Sequence, residues 1–489
     1  MVAARRLAVG ETVADGAHPL TLRSDVPPGH KLAAHAIGSG EPVRKYGQVI
    51  GMASSDIAPG EHVHSHNLAM ADMRSDAAPS APAAEPSAMR YFDGYVRPDG
   101  RVGTRNYVAV LSSVNCSATV ARQIAEAVER QGLLDNHPGV DGIVPIVHGT
   151  GCGMAHEGEA YELLRRTLWG TAANPNFGAI LLVGLGCEVI QTGQLIADYA
   201  ADARERIETF TIQQMGGTRK AIEEGVARVK TLLPEVAAAK RERVPASRLV
   251  LGLQCGGSDA WSGVTVNPAL GNAVDRLVGL GATVLLSETP EIYGAEHLLY
   301  ARATPEVAAK LRARLDWWED YTSARGAEMD NNPSPGNKAG GLTTILEKSL
   351  GAVAKAGTAP LADVICYGEP VPTSGLVFMD SPGFDPCSAT GQVASGATLI
   401  AFTTGRGSAF GYKPSPSIKL SSNTQLYEHM PEDIDLDCGA ILTGNASIEE
   451  KGKEILDYLL ATASGQRSKS EALGYGGMEF VPWQIGAVM

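Results

Sequence analysis

The sequence predicts an α/β protein in which a small β-rich head and a linker precede two α/β units with largely parallel sheets. Three observations carry this reading. Glycine is abundant, 56 of 489 residues against a usual ~7%, which suits tight turns and backbone that closes on a ligand. Apolar residues reach 44% and charged residues 19%, enough to fill a core and too apolar for wholesale disorder. Apolar runs alternate with helical patterns along most of the chain, the pattern of buried parallel strands joined by crossover helices. At ~100–200 residues per domain, the length suggests about three domains.

The head, 1–75, reads as short β-segments with turn punctuation: PLTLR, DVPPGHKL, GQVIGMA and DIAPGEHVHSHNL. Residues 76–89, DAAPSAPAAEPSAM, are Ala, Pro or Ser at 11 of 14 positions and cannot bury apolar surface, so they predict an extended linker. The first α/β unit, 90–240, runs strand 107–113, helix 117–130, strand 142–148, helix 155–169, strand 179–184, helix 189–203, strand 207–213 and helix 218–232. The charged stretch AAAKRERVPASR, 237–248, marks the next boundary. The second unit, 241–489, opens with RLVLGLQ, a helix over 266–280 and ATVLLSE. Its tail from about 360 is richer in Gly, Ser and Pro and gives no regular pattern.

Charge narrows the function classes. With 41 Lys+Arg against 54 Asp+Glu the chain carries −13, a poor general binder of nucleic acid or anionic membrane. An anionic substrate then needs a local basic cluster. Two exist: Arg97, Arg101 and Arg105 in RPDGRVGTRN, and Arg406, Lys413 and Lys419 in GRGSAFGYKPSPSIK, since arginine forks grip carboxylates. No run of ~18 apolar residues offers a membrane span, and the first ten residues show no signal-peptide core, so a cytoplasmic chain is expected. A homo-oligomer, commonly a dimer, is the default.

Seven cysteines without a CxxC pair argue against a disulfide framework or a zinc ribbon. Their placement carries more. Strand-end segments SSVNCSAT, HGTGCGM, VGLGCEV and LQCGGSD bring Asn115 and Cys116, His148 and Cys152, Cys187 and Glu188, and Cys255 and Asp259; SPGFDPCSATG adds Asp385 and Cys387. Ligands of parallel sheets bind outside the carboxyl ends of the strands. A buried cysteine acting as a small hydrophobe is the bland reading of any one of them. The glycine strings lack the dinucleotide fingerprint, no P-loop occurs, and no nucleophile elbow appears. In the head, His62, His64 and His66 sit at i, i+2, i+4, which on a strand shares one face and suits a metal or an anion.

The segments FDGYVRPDGRVGTRNYVAVLSSVNCSATV, PIVHGTGCGM, LVGLGCE, LQCGGSD, NPSPGNKAGGLTTILEKSLGAVAKAG and TTGRGSAFG together resemble the altronate/galactarate dehydratase family, from about Tyr91 to the C-terminus. The head resembles the SAF-type (β-clip) domain of full-length members, although GAHPLTLRSDV lacks their Asp-Asn-Val-Ala-type segment. The resemblance implies an iron-dependent hydro-lyase that converts an aldonate or aldarate to a 2-keto-3-deoxy acid. Some relatives expel sulfite from a sulfonated hydroxy acid. A non-catalytic sugar-acid-binding protein is the competing class, and it would need no metal.

That chemistry needs a Lewis acid on the carboxylate and 2-OH, a base for the C2 proton and an acid for the departing 3-OH. Soft thiolates and imidazole suit iron. Cys152, Cys187 and Cys255 are the first candidate ligands, with Cys116 and Cys387 in reserve. Three such thiolates could hold an iron–sulfur cluster with one open iron, and mononuclear Fe(II) on histidine and carboxylate is the other version. Acid–base candidates are His148, His156, Glu188 and Lys338. Candidate substrate contacts are Arg101, Arg105, Asn115, Arg406 and Lys413.

Overall fold

Uninterrupted Val, Leu and Ile runs bury on both faces and therefore become central parallel strands. In the computed structural model, residues 1–15, 18–45, 47–70, 89–197 and 206–486 are described. A four-stranded parallel sheet orders Gly142–Ile146, Tyr107–Ser112, Phe177–Gly184 and Ile207–Thr211. Helices Asn115–Arg130 and Thr218–Ala238 cover one face through Val120, Ile124, Val229 and Leu233, and Glu159–Ala173 covers the other through Leu164 and Leu168. The chain thus steps to one side of its first strand and then to the other, so the loops after Ser112 and Gly184 flank a topological switch point.

A seven-stranded parallel sheet orders Leu361–Ile365, Gly375–Met379, Thr283–Leu286, Val250–Cys255, Leu399–Thr404, Ser417–Ser421 and Leu436–Asp437. Its switch point lies between Val250–Cys255 and Leu399–Thr404, which pair in register from Leu251–Leu399 to Cys255–Thr403. Helices Val266–Gly279 and Ile448–Ala463 pack together over one face, burying Leu270, Val274, Leu277, Leu456 and Leu459. Strands Glu242–Pro245, Tyr91–Val96 and Val102–Gly103 form an antiparallel ribbon between the units.

The head is β-rich, as the sequence predicts: hairpin Thr12–Asp15 with His18–Thr21, pair Lys31–Leu32 with His62–Val63, and sheet Pro42–Lys45, Gln48–Ala53, Leu68–Ala69. The predicted linker 76–89 lies, except for Met89, outside the described residues, as does the end of the predicted helix 189–203, of which Thr192–Ala197 is seen. The predicted helix 155–169 begins only at Glu159, because the loop before it carries Gly153 and Gly158 at positive φ. Among the described residues no helix is long and apolar enough to cross a membrane.

Candidate active site

The densest chemistry sits at the carboxyl end of the seven-stranded sheet. Cys255 is the last residue of its strand, Glu288 and Glu291 follow the neighbouring strand Thr283–Leu286, and Asp385 opens helix Asp385–Ala394. Lys348 and Lys355 come from helix Ile345–Ala354 and its C-cap, seven residues apart and so on one face. The Lys355 ammonium donates to Cys255 Sγ at 3.0 Å and to Glu288 Oε2 at 3.3 Å. Lys348 donates to Glu291 Oε1, and Cys255 Sγ–H donates to Glu291 Oε2 at 3.5 Å. The ligand atoms of Cys255, Glu288 and Glu291 all lie within 4.8 Å of one another, the one candidate metal group of three or more among the described residues.

Charge balance inside this centre is tuned by burial. Burial pushes the Cys255 thiol up to about 12, with Lys355 opposing, so the sulfur stays protonated until a stronger cation displaces its proton. Burial, reinforced by the Glu291 charge, raises the Glu288 carboxyl well above the carboxylate range. Glu291 is also pushed up by burial, but Lys348 and Lys355 outweigh that and hold it low. Burial first, and Glu291 second, lift Asp385 to about 7, the range in which a carboxyl both takes and gives a proton. Glu288 adopts φ 74°, in the left-handed region, a conformation that costs on the order of 1 kcal/mol or more for a residue with a side chain. Its Oε1 is buried without a hydrogen-bond partner. Strain and an orphaned acceptor at one residue mark a functional position rather than a packing one.

A cavity of about 200 Å³ opens beside this centre, lined by Cys255, Asp259, Asn267 and Lys348 of the body and by Lys45 and Gln48 of the head. The head is clamped there by ion pairs: Lys31 and Lys45 both reach the buried Glu347 at 2.8 Å. Burial pushes the Glu347 carboxyl up, yet the two lysine charges and their hydrogen bonds prevail and hold it far below the carboxylate range. His30 and His64 donate from Nε2 to the carbonyls of Ala339 (3.3 Å) and Lys338 (3.0 Å). The His30 Nδ1 lone pair then accepts from His62 Nε2 at 3.0 Å. Only His62 of the predicted triplet is on a strand, and a turn from His64 to Asn67 breaks the shared face. The rings gather all the same: His30, which sequence spacing could not reveal, joins His62 and His64, and His66 lies tilted with its ring centre 5.5 Å from that of His62. Burial lowers His62 to about 4.

The expected convergence of Cys152, Cys187 and Cys255 does not occur in that form. Cys116, in the first turn of helix Asn115–Arg130, and Cys152 and Cys187, in loops, are exposed at the carboxyl end of the four-stranded sheet, whereas Cys255 is buried at the end of the other sheet. Cys387 faces the core, its carbonyl accepting from Tyr367 Oη at 2.7 Å, and burial raises its thiol to about 12. Beside the exposed thiols, Glu188 is buried and accepts from Ser113 Oγ (2.7 Å) and Gly186 N–H (2.6 Å). His148 donates from Nε2 to Ser112 O (3.1 Å) and accepts at Nδ1 from Thr150 N–H (3.3 Å). Both ring nitrogens are spent on backbone and burial lowers its pKa to about 4, so His148 is a neutral strut, not a free base. Asn115 also braces this loop, from Nδ2 to His148 O at 3.4 Å.

Two of the predicted anion contacts have their guanidinium groups engaged within the chain. Arg105 is buried in a bidentate pair with Glu471 (2.7 and 2.8 Å) and pins the carboxy-terminal segment. Arg101 is tied to its near neighbour Asp99 at the surface. Lys413 engages Gly476 through its backbone, and the exposed Arg406 is held through its N–H to Gly257 O at 3.0 Å. His156 is exposed, and Lys338 is half-buried in the short helix Pro335–Ala339. Glu288, Glu291, Lys348 and Lys355 escaped the sequence reading. The signal that could have found them is the strand-end position of SETPE and the two lysines at i and i+7 in the run ILEKSLGAVAK.

Comparison with known proteins follows the same division. Three domain-family profiles match: the altronate/galactarate dehydratase SAF domain over residues 1–71, the D-galactarate dehydratase/altronate hydrolase second domain over 94–237, and the D-galactarate/altronate dehydratase C-terminal domain over 246–488. Altronate dehydratase of Bacillus subtilis (strain 168) is 34% identical over 95% of this chain and 93% of the relative. Galactarate dehydratase (L-threo-forming) of Escherichia coli (strain K12) is 37% identical over 94% and 90%. The (2R)-sulfolactate sulfo-lyase subunit beta of Chromohalobacter salexigens is 34% identical over 80% and 97%.

Proposed function

The chain belongs to the D-galactarate/altronate dehydratase family of sugar-acid hydro-lyases, and we propose that it dehydrates a six-carbon aldonate or aldarate to a 2-keto-3-deoxy acid at the Cys255 centre. The observation that carries the assignment to this centre is the buried Cys255–Glu288–Glu291 donor set, with Lys348, Lys355 and Asp385, beside a cavity walled by both head and body.

Cys255, Glu288 and Glu291 would hold the family's metal. One soft sulfur and two hard carboxylates suit a first-row divalent ion, which we assign as iron, and the unpartnered Glu288 Oε1 supplies a ready donor. When bound, the ion supplies Lewis acidity toward the substrate carboxylate and 2-OH. The side chains do the rest. A C2–H next to an anionic carboxylate is very weakly acidic, so positive charge near that carboxylate is needed before the proton can leave. Lys348, on the cavity wall, provides it. Asp385, lifted to about 7, takes the C2 proton. The C3–O bond then breaks, and a proton returned by Asp385 or Lys348 lets the 3-OH leave as water. The enol tautomerises to the ketone. Burial of the centre excludes bulk water from the intermediate.

The test is an anaerobic screen of C5 and C6 aldonates and aldarates with the Fe(II)-loaded chain, reading 2-keto product. Product from at least one acid supports the reading. No product from any of them, with sulfite released from sulfolactate, would move the assignment to the sulfo-lyase reaction of the more partial relative.

A further inference from the structure

We propose that Cys116, Cys152 and Cys187 bind an iron–sulfur cluster at the switch point of the four-stranded sheet, a site separate from the Cys255 centre. The three thiols come from the segments that follow three adjacent strands at their carboxyl ends, in the spatial order 152, 116, 187. All three are exposed, while Cys255, Cys387 and Cys438 are buried and Cys366 is half-buried. Free cysteine is among the most buried residue types, so three exposed thiols on one sheet edge require a reason other than packing.

The segments that carry them are tied to one another by hydrogen bonds. Asn115 N–H donates to Thr150 O at 2.9 Å, joining the Cys116 and Cys152 loops. Ser113 Oγ donates to Glu188 Oε1 at 2.7 Å, joining the Cys116 and Cys187 loops. Gly151 and Gly186 hold φ 92° and 125°. A Cβ at Gly151 would stand 2.9 Å from Ser113 O, and one at Gly186 2.5 Å from Gln213 Oε1, so both turns exist only because no side chain intrudes. Cys116 lies in the first turn of the 16-residue helix Asn115–Arg130, which has no acidic residue there and no side-chain cap. The partial positive charge of that end favours a negatively charged occupant.

The donor set selects the occupant. Among the described residues, no group of three donors close enough to share one ion includes these sulfurs, and three thiolates from adjacent strand ends suit an iron–sulfur cluster. Three thiolates on a four-iron cluster leave one iron without a protein ligand. On assembly each thiol releases its proton to solvent as an iron–sulfur bond forms, with two ferrous ions, two ferric ions and four sulfides supplied as reagents, so no further oxidant is needed.

The experiment is anaerobic reconstitution of the full chain with Fe(II), Fe(III) and sulfide, read by visible absorption, electron paramagnetic resonance and iron and sulfide analysis. We expect about four labile sulfide per chain and about four iron beyond the one assigned to the Cys255 centre, loss of the chromophore in Cys116→Ser, Cys152→Ser and Cys187→Ser, and its retention in Cys255→Ser. The substituted positions are exposed, so unchanged circular dichroism certifies the fold. Iron bound without sulfide, or a chromophore that survives the three substitutions and disappears in Cys255→Ser, overturns the proposal.

Discussion

Glu347→Gln probes how the head is held on the body. Glu347 is buried with 3% side-chain exposure between Lys31 at 5% and Lys45 at 11%, and its Oε2 also accepts from Thr343 N–H and Oγ1. A glutamine keeps the shape and an acceptor oxygen but removes the charge that both ammonium groups face. Breaking a buried pair from one side costs about 3–5 kcal/mol, so the ratio of docked to undocked head should fall roughly 150- to 5,000-fold. Hydrogen exchange at head segments facing the body, around Lys31 and Ile50, reports this directly, and kcat/KM should fall too because Lys45 and Gln48 line the cavity. The pH dependence has a definite sign. The Glu347 carboxyl is depressed in the fold, so its contribution is present above the ordinary carboxylate range and is lost as pH falls below about 4.3 toward its lower folded value. His62, lowered from 6.5 to about 4 chiefly by burial, loses its contribution as pH falls through that window. Docking should therefore weaken first between pH 6.5 and 4 and then further in stronger acid, and Glu347→Gln should abolish only the second phase. Unchanged exchange in the variant at neutral pH would refute the clamp.

Three further outcomes follow from the same geometry. Asp385→Asn should lower kcat by about 10²–10⁴-fold with the fold retained by circular dichroism; an active variant would remove it from proton transfer. Lys355→Met removes the ammonium that donates to Cys255 Sγ and Glu288 Oε2 and leaves both without that donor, so it should destabilise the body by about 1–3 kcal/mol in denaturant unfolding, and a change within 0.5 kcal/mol would contradict that role. Arg105→Ala should cost several times more stability than Arg101→Ala, because Arg105 is buried against Glu471 while Arg101 holds an exposed pair of little worth; equal effects would restore both arginines as anion contacts.

Strands such as Tyr107–Ser112 and Phe177–Gly184 were legible because their residues are apolar without interruption and each is followed by a helix-forming stretch. Boundaries blurred where tertiary packing overrode local signals. Helix Thr218–Ala238 runs through Pro234, because Leu233 and Val236 bury on both sides of it. Strands Gly375–Met379, Leu399–Thr404 and Ser417–Ser421 sit among Gly, Ser and Pro turns that hid their period. In the site, strand-end position singles out Cys255, but it does not say that the thiols grouped with it stay exposed at the end of the other sheet. Arg105 and His148 carry the right chemistry for catalysis, and nothing local reveals that Glu471 or the Ser112 carbonyl, distant or backbone partners, already occupies them.

The central claim is that catalysis is assembled on Cys255, Lys348 and Asp385. The most direct measurement is anaerobic turnover of galactarate and altronate by the Fe(II)-loaded chain and its Cys255→Ser, Lys348→Met and Asp385→Asn variants, with each fold checked by circular dichroism. The wild type should give a 2-keto-3-deoxy product, and every variant should lose about 100-fold or more of that turnover. Full turnover in correctly folded variants, or loss only when the thiols of the other sheet are replaced, would contradict it.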